Sequence, residues 1–367
     1  MNGIVRTVWS TTGLVAMPFP LQHLLDPPEP GRLLPLAGRT HAQYADLDYH
    51  RQCEVAMLDR LPEPSRLDRA PRDAAIGPSP MCDARASRLA RTLAPLATTD
   101  GFSDTAIDGV KLIASGCSHP RTPLIYEPGL FVIAQGDKIG YLGDRVIHYG
   151  PGNYLVQAMP LPFECETLAD PDTPLLGLSI GVDPLTLSEL VHHLPAPARA
   201  ERGSPEPMAA VALDAPMAEA VQRLADCLQD EYSSRALGEG RVREVLFAAL
   251  NGPQGHSLRQ LVQQHGHYAR IAESLNYLHR HFALPLTVET LAERANMSAS
   301  HFHHHFKRVT QLSPVQYLKR LRLLRARVLL GQQRVNVARA AADVGYRSTS
   351  QFSREYKRYF GVSPSRG

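Results

Sequence analysis

The features that the sequence lacks exclude several protein classes. It contains no run of eighteen or more apolar residues, which a helix needs to cross a membrane. Its N-terminal segment (MNGIVRTVWSTTGLVAM) holds one Arg and an apolar stretch broken by Ser and Thr, which is a poor match to a signal peptide. We therefore expect a cytoplasmic protein.

Cysteine is also scarce. The five cysteines are scattered and no two form a CxxC pair: Cys53, Cys82, Cys117, Cys165 and Cys227. A disulfide framework or a zinc knuckle is therefore not expected, and a reducing cytoplasm fits. Cys117 and Cys165 lie in or near the strands predicted below, where we expect small buried residues rather than reactive sensor thiols.

Charge is unevenly distributed, although the net charge of the whole chain is only +3. Residues 270–367 contain 17 Lys/Arg and 5 Asp/Glu, a net of +12, which leaves a net of −9 for residues 1–269. This asymmetry suggests a polyanionic partner for the C-terminal segment. On charge alone, a merely solvated basic surface is an equally good explanation.

Three segments follow each other along the chain. Residues 1–80 hold 11 of the 30 prolines and show weak periodicity, so we predict a disordered or loosely packed extension over 1–85, with Met81 as a sensible alternative start. Residues 86–265 begin with short β-branched and aromatic runs and continue with helical patterns. Residues 266–367 are patterned as helices throughout.

The middle segment predicts an antiparallel β sandwich or barrel followed by helices. Strands are predicted at 110–114, 130–134, 139–142, 145–149 and 153–157, with glycine-containing turns between them. Helices are predicted at 184–193, 216–232, 241–250, 258–264 and 271–282. The expected fold class is therefore α+β, with an all-α domain at the C-terminus.

A repeat in the last hundred residues carries the functional signal. Residues 298–308 read SASHFHHHFKR and residues 348–358 read STSQFSREYKR, an offset of fifty. The preceding segments repeat at an offset of forty-nine, so the second turn is one residue longer. Each copy is typical of a helix-turn-helix motif, because Asn296 and Gly345 tolerate a left-handed turn and Ser298 and Ser348 suit an N-cap.

The second helix of each copy predicts a recognition helix, with an apolar face toward the domain and a polar face toward DNA. Polar groups near its start suit base edges, and Lys or Arg further along suit phosphates. The predicted base contacts are Ser300, His303, His304, Thr349, Ser350, Ser353 and Arg354. The predicted phosphate contacts are Ser298, Lys307, Arg308, Ser348, Lys357 and Arg358.

A linking helix is predicted between the two copies, over 314–330, with Ser313 as its cap. It would hold the recognition helices about one DNA turn apart on one face of the duplex. Double-stranded DNA, as promoter or operator, is therefore the predicted partner. The alternative is a helical bundle that uses these residues only as surface.

The second copy resembles the AraC/XylS family of transcription regulators, whose signature GYxSxSxFSRx(F/Y)KRxFGxSP matches residues 345–364. The middle segment resembles the sensor domain of one AraC-type subgroup, in the runs LIYEP (124–128), VIAQGDK (132–138), LGD (142–144), YGPGNYLV (149–156), PLP (160–162) and REV (243–245). The resemblance implies a cupin-like antiparallel β-barrel with flanking helices, used for effector binding and dimerisation. It implies a regulator without enzymatic activity or cofactor.

The implied partners beside DNA are a small-molecule effector, RNA polymerase and a second copy of the chain. The candidate effector-pocket residues are aromatic or polar residues of the β segment: Tyr126, Glu127, Phe131, Tyr141, Tyr154 and Phe163. The pattern does not show which of them point inward.

Two other interpretations compete with a pure regulator. The histidines at 301 and 303–305 have a spacing that suits zinc, but no carboxylate or cysteine accompanies them, so we expect no metal, with His305 as a packing residue. The second is a cupin-type enzyme or binding module whose helical tail does other work. As an enzyme it would need a His-x-His pair followed by Glu. The β segment offers His119, His148, Glu164 and Glu166 without that pair.

Overall fold

The computed structural model describes residues 88–195, 205–262, 266–331 and 335–366, which belong to one compact unit over 44–367. The extension predicted over 1–85 lies outside the described residues. Within these ranges no helix is both long and apolar enough to cross a membrane.

The N-terminal part is built from antiparallel strands. The described strands are β1 Gly101–Asp104, β2 Val110–Ser115, β3 His119–Ile125, β4 Gly129–Gln135, β5 Asp137–Leu142, β6 Arg145–Tyr149, β7 Asn153–Gln157, β8 Pro162–Leu168, β9 Leu175–Gly181 and β10 Met208–Ala212. They form a six-stranded sheet in the order β1-β2-β9-β4-β7-β10 and a four-stranded sheet in the order β3-β8-β5-β6. The expected antiparallel β fold is confirmed, as two sheets rather than a closed barrel.

Burial along the strands shows how the sheets pack. In β5 the residues Lys138, Gly140 and Leu142 are buried while Ile139 and Tyr141 are half-buried, because successive side chains point to opposite faces. In β4 every residue from Gly129 to Ala134 is buried, as expected of a strand that is covered on both faces. The six-stranded sheet is therefore the centre of this part of the molecule.

Of the α-helices named here, the first lies between β9 and β10 and the others follow β10. They are α1 Pro184–His192, α2 Ala215–Cys227, α3 Glu231–Asn251, α4 Gly255–Val262, α5 His267–His281, α6 Val288–Arg294, α7 Ala299–Thr310, α8 Pro314–Gly331, α9 Val337–Asp343 and α10 Thr349–Phe360. The α+β class with an all-helical C-terminal part is thus confirmed.

Several predicted helix boundaries were wrong, two of them by five residues or more. The helix predicted over 216–232 ends at Cys227, because Asp230 caps a new helix, its carboxylate accepting a hydrogen bond from the Ser233 amide at 2.7 Å. The helix predicted from residue 241 begins at Glu231 instead. Gly238 interrupts the apolar pattern because it is a contact point: a Cβ there would lie 2.7 Å from Ile107.

The hydrophobic core is divided unequally between the two repeats. Phe302, Phe306 and Tyr317 belong to the same buried cluster as the apolar residues between the sheets. The second repeat has a separate, smaller cluster around Phe352 and Tyr356. The first helix-turn-helix motif is therefore packed together with the N-terminal part, whereas the second has its own core.

Candidate nucleic-acid interface

The first motif consists of α6, a tight turn and α7. Asn296 adopts φ 49°, and the Met297 amide donates to the Ala292 carbonyl at 2.9 Å across the turn. Ser298 caps α7, its hydroxyl oxygen accepting from the His301 amide at 3.3 Å. The left-handed turn and the cap predicted from the sequence are both present.

The second motif consists of α9, a longer turn and α10. Gly345 adopts φ 85°, and a Cβ there would lie 2.4 Å from the Ala283 carbonyl oxygen, so glycine is required both by conformation and by space. The residue added to this turn is Arg347, between Tyr346 and the cap Ser348. Ser348 accepts from the Gln351 amide at 3.3 Å and begins α10.

The predicted DNA contacts lie on the outer surfaces of α7 and α10. Of the thirteen residues predicted to contact bases or phosphates, all are exposed except Ser353, which is half-buried. The opposite faces carry Phe302, Phe306, Phe352 and Tyr356, which are fully buried. The two helices therefore present their polar rows outward, and the two rows differ in sequence.

Glu355 holds the second recognition helix in place. Its carboxylate accepts from the Lys319 ammonium at 3.0 Å and from the Tyr346 hydroxyl at 2.8 Å. Burial raises the pKa of this carboxyl, but the hydrogen bonds from Lys319, Tyr346 and Gln351 outweigh it, and the pKa lies below its ordinary value. The sequence did not single out Glu355, because its partners come from the linking helix and the turn.

The basic residues of the linking helix α8 contact protein groups. Arg322 donates to the carbonyls of Phe282 and Leu284, both at 2.8 Å, at the C-terminal end of α5. The guanidinium groups of Arg320 and Arg327 lie over the rings of Tyr359 and Phe360, at 5.8 and 4.8 Å from their centroids. Part of the positive charge of the C-terminal segment thus holds the two motifs together.

The same helix contacts the β sheets. The Tyr317 hydroxyl is buried, donates a short hydrogen bond to the Pro160 carbonyl, and accepts from His279 Nε2 at 2.7 Å. Arg325 forms an ion pair with Glu127 at 3.4 Å. Burial, and then the nearby Arg325, lower the pKa of His279, so this imidazole is neutral at pH 7. We call these five residues the junction.

A group of histidines lies beside the first recognition helix. His267, the first residue of α5, stacks on His305 with ring centroids 4.3 Å apart, and His301 lies 4.3 Å from His305 and 5.0 Å from His267. Burial, Arg308 and the neighbouring histidines lower the pKa of His305 to about 4. The local sequence around His301 does not reveal His267 as a third histidine of this group, because it lies 34 residues earlier. The packing of α5 on α7 brings the three side chains together.

The candidate effector residues do not share one place. Tyr126, Phe131 and Phe163 form a buried aromatic cluster, in which Tyr126 stacks on Phe131 at 4.3 Å and meets Phe163 edge-on at 5.1 Å. Tyr154 is paired with Val132 and therefore lies on the opposite face of the six-stranded sheet from Phe131.

The two remaining candidates lie outside this interior. Tyr141 points to the outer face of β5, where its hydroxyl donates to Glu166 at 2.9 Å. Glu127 belongs to the junction. The alternation of side chains along β5 explains the placement of Tyr141. The placement of Glu127 follows from the approach of α8, which periodicity alone does not reveal.

Three of the four His and Glu residues considered for a cupin-type enzyme form hydrogen bonds with other protein side chains. Glu164 accepts a hydrogen bond from Arg121, Glu166 accepts from Tyr141, and His119 is bonded to Ser115 at 2.8 Å. Cys165 is buried as expected, whereas Cys117 is exposed, because it lies in the turn between β2 and β3 rather than within a strand.

Together the fold and the interface define a class: a protein with a β-sheet N-terminal domain followed by two helix-turn-helix motifs on one linking helix. Two family models match it. The model described as an AraC-type transcriptional regulator N-terminus matches residues 106–257, and a helix-turn-helix domain model matches residues 291–366. The chain belongs to the AraC-type family of transcriptional regulators.

Individual relatives cover parts of the chain. It is 32% identical over 145 residues to the HTH-type transcriptional activator RhaS of Escherichia fergusonii, which is 39% of this chain and 51% of RhaS. It is 32% identical over 89 residues to the Msm operon regulatory protein of Streptococcus mutans, 24% of this chain and 32% of that protein. The chain therefore spans about half or less of the length of these relatives.

A solved structure matches a larger share of this chain than these relatives do. ToxT of Vibrio cholerae with a bound unsaturated fatty acid matches 70% of this chain and 92% of that chain, with a TM-score of 0.50 and 10% sequence identity. This likeness concerns the fold alone.

Proposed function

We propose that the chain is a sequence-specific DNA-binding transcriptional regulator, with residues 266–367 as its DNA-binding domain and residues 86–265 as the domain that responds to a small molecule. The observation that carries the proposal is the pair of capped, exposed recognition helices, α7 and α10, on one linking helix. Both present polar residues near the start and basic residues further on, which suits base edges and phosphates. The activity requires no catalytic step.

The two recognition helices would read different sequences. The first offers Ser300, His303 and His304, whereas the second offers Thr349, Ser350, Ser353 and Arg354. An Arg that forms two hydrogen bonds with guanine is the commonest specific contact in the major groove. We therefore assign the strongest single base contact to Arg354.

The effector would bind between the two sheets. The aromatic cluster of Tyr126, Phe131 and Phe163 suits an apolar or aromatic small molecule. The match to the AraC-type N-terminal model supports this part of the proposal, as does the fold shared with ToxT, which was solved with an unsaturated fatty acid. A compound whose thermal stabilisation is lost in Phe163→Leu and kept in Tyr141→Phe would support this location; equal stabilisation of both variants would contradict it.

The partners follow from the same proposal. A promoter-binding regulator acts in the cytoplasm beside RNA polymerase, and AraC-type N-terminal domains imply a second copy of the chain. On α3, Tyr232, Leu237 and Phe247 are 83%, 51% and 45% exposed, and they offer an apolar surface for that copy. Sedimentation of the wild type against Phe247→Glu tests this: a dimer that persists in the variant contradicts the assignment.

The function is tested by mapping the genomic DNA that the full chain binds and measuring its affinity for a recovered fragment and for random DNA. The four cationic phosphate contacts, Lys307, Arg308, Lys357 and Arg358, predict a loss of about a hundredfold in affinity between 50 and 200 mM salt. Equal affinity for both DNAs at each salt concentration would contradict a sequence-specific regulator and favour the enzyme or binding-module alternative.

A further inference from the structure

The cluster of His267, His301 and His305 is the most chemically specific feature that the proposed function leaves unused. Across the described ranges it is the one group of at least three His, Cys, Asp or Glu side chains whose ligand atoms lie close enough to share an ion, all within 4.8 Å of one another. His301 and His305 are one helical turn apart on α7, and His267 comes from the start of α5. Two helices thus supply three imidazoles to one point.

The donor set selects the ion. Imidazole nitrogen binds Zn²⁺, Ni²⁺, Co²⁺ and Cu²⁺, whereas Mg²⁺ and Ca²⁺ prefer oxygen ligands. Three histidines with an open position are a known arrangement for zinc. With Zn–N bonds of about 2.0–2.1 Å, tetrahedral ligands lie about 3.3 Å apart. The ligand nitrogens must therefore move about 1.5 Å closer to one another. Rotation of the exposed His267 and His301 side chains can bring them together.

We propose that His267, His301 and His305 form a binding site for a divalent transition-metal ion, and that the ion frees Arg308 from His305. In the structure Arg308 Nη2 lies 2.9 Å from His305 Nδ1. A guanidinium only donates, so Nδ1 accepts and the ring proton is on Nε2. An ion at Nδ1 displaces Arg308 directly. An ion at Nε2 moves the proton to Nδ1, which then no longer accepts.

Either mode of binding therefore breaks the Arg308–His305 hydrogen bond. Arg308 is exposed on α7, in the row that we assign to phosphates. The consequence for DNA, which rests on the proposed function, is that Arg308, the fourth of the cationic phosphate contacts, reaches its phosphate only when the metal is bound. The ion also joins α5 to the first recognition helix.

Zinc binding is tested without DNA, on tag-free full-length protein stripped by a chelator and titrated with Zn²⁺ against a chromophoric chelator. We expect one high-affinity Zn²⁺ per chain. His267→Gln and His301→Gln should each weaken it more than about tenfold, since the loss of even an outer-shell partner costs 10–100-fold. His305 is kept because it is buried, and His148→Gln, an exposed histidine of β6, should bind zinc as the wild type does.

Thermal unfolding of the metal-free variants checks that both remain folded. Zinc affinity unchanged in both His267→Gln and His301→Gln would overturn the site. Histidine ¹⁵N resonances provide a second measurement: zinc should shift those of all three rings, and a shift confined to other histidines would also overturn it.

A DNA-binding measurement distinguishes the release of Arg308 from the metal site itself. With Zn²⁺, the salt dependence of specific binding should steepen by about one phosphate contact, and Arg308→Ala should abolish this change. Zinc that binds without altering the salt dependence overturns the release of Arg308. Failure of the protein to bind specific DNA, with zinc binding intact, overturns the proposed function and leaves the metal site standing.

Discussion

Arg354 and Lys357 lie three residues apart on the exposed side of α10, and we propose different roles for them. Arg354 is closer to the start of the helix, where side chains reach base edges. Lys357 lies in the last turn of the helix, beyond the proposed base contacts. A planar guanidinium can form two hydrogen bonds with guanine, whereas an ammonium acts on a phosphate as a point charge.

Arg354→Ala should therefore weaken specific binding by about 1–3 kcal/mol and relax the preference at one base pair. Lys357→Ala should weaken binding to specific and random DNA by the same factor and reduce the salt dependence by about one contact. Both are measured by gel shift, with Arg235→Ala of α3 as the exposed-arginine control. Equal losses on both DNAs in both variants would contradict the assigned roles.

At the scale of elements, local patterns predicted the strands β2, β4, β5, β6 and β7 and both helix-turn-helix motifs. Other elements carry weak signals. Pro120 and Pro123 are atypical of a strand and weaken the sequence signal of β3. Gly238 and Gly240 interrupt the helical pattern of α3. Glycine at 238 is explained only by the contact with Ile107, which is distant in sequence.

Glu355 gives a prediction at this scale, because it joins α10 to α8 and to the turn before it. Glu355→Gln leaves the half-buried Lys319 without its carboxylate and should lower the free energy of unfolding by about 1 kcal/mol at pH 7. Urea unfolding measures it, with the exposed Glu273→Gln as the matched control.

The pH dependence of this difference is fixed by the lowered pKa of Glu355 in the folded state. The stabilisation is fully present above the ordinary pKa near 4.5 and is lost as pH falls through the lower folded value. A difference between wild type and Glu355→Gln that grows on acidification would contradict the ion pair.

At the scale of the whole molecule, the first helix-turn-helix motif shares its core with the sheets. The junction joins α8 to α5 and to two segments between the strands. Only the fold brings Pro160 to Tyr317 or His267 to His301, so neither the junction nor the histidine cluster follows from local sequence patterns. The exposed rows on α7 and α10 could be predicted, because their side chains depend only on helical periodicity.

Tyr317→Phe keeps the ring and removes the hydroxyl that joins Pro160 to His279. We expect a loss of about 1–3 kcal/mol, since the buried Pro160 carbonyl is left unsatisfied. In calorimetry the variant should unfold in two separated transitions where the wild type unfolds in one. Tyr277→Phe, at a half-buried tyrosine of α5, should resemble the wild type. A Tyr317→Phe protein with wild-type stability and one transition would contradict a coupling role for the junction.

Hydroxyl-radical footprinting on a mapped site tests the central claim most directly, that two unlike recognition helices read one duplex. We predict two protected patches on one face of the DNA, centred about 10–10.5 base pairs apart. The variant Ser350→Ala/Arg354→Ala should lose one patch and His303→Ala/His304→Ala the other. A single protected patch, or loss of the same patch in both variants, would contradict the account.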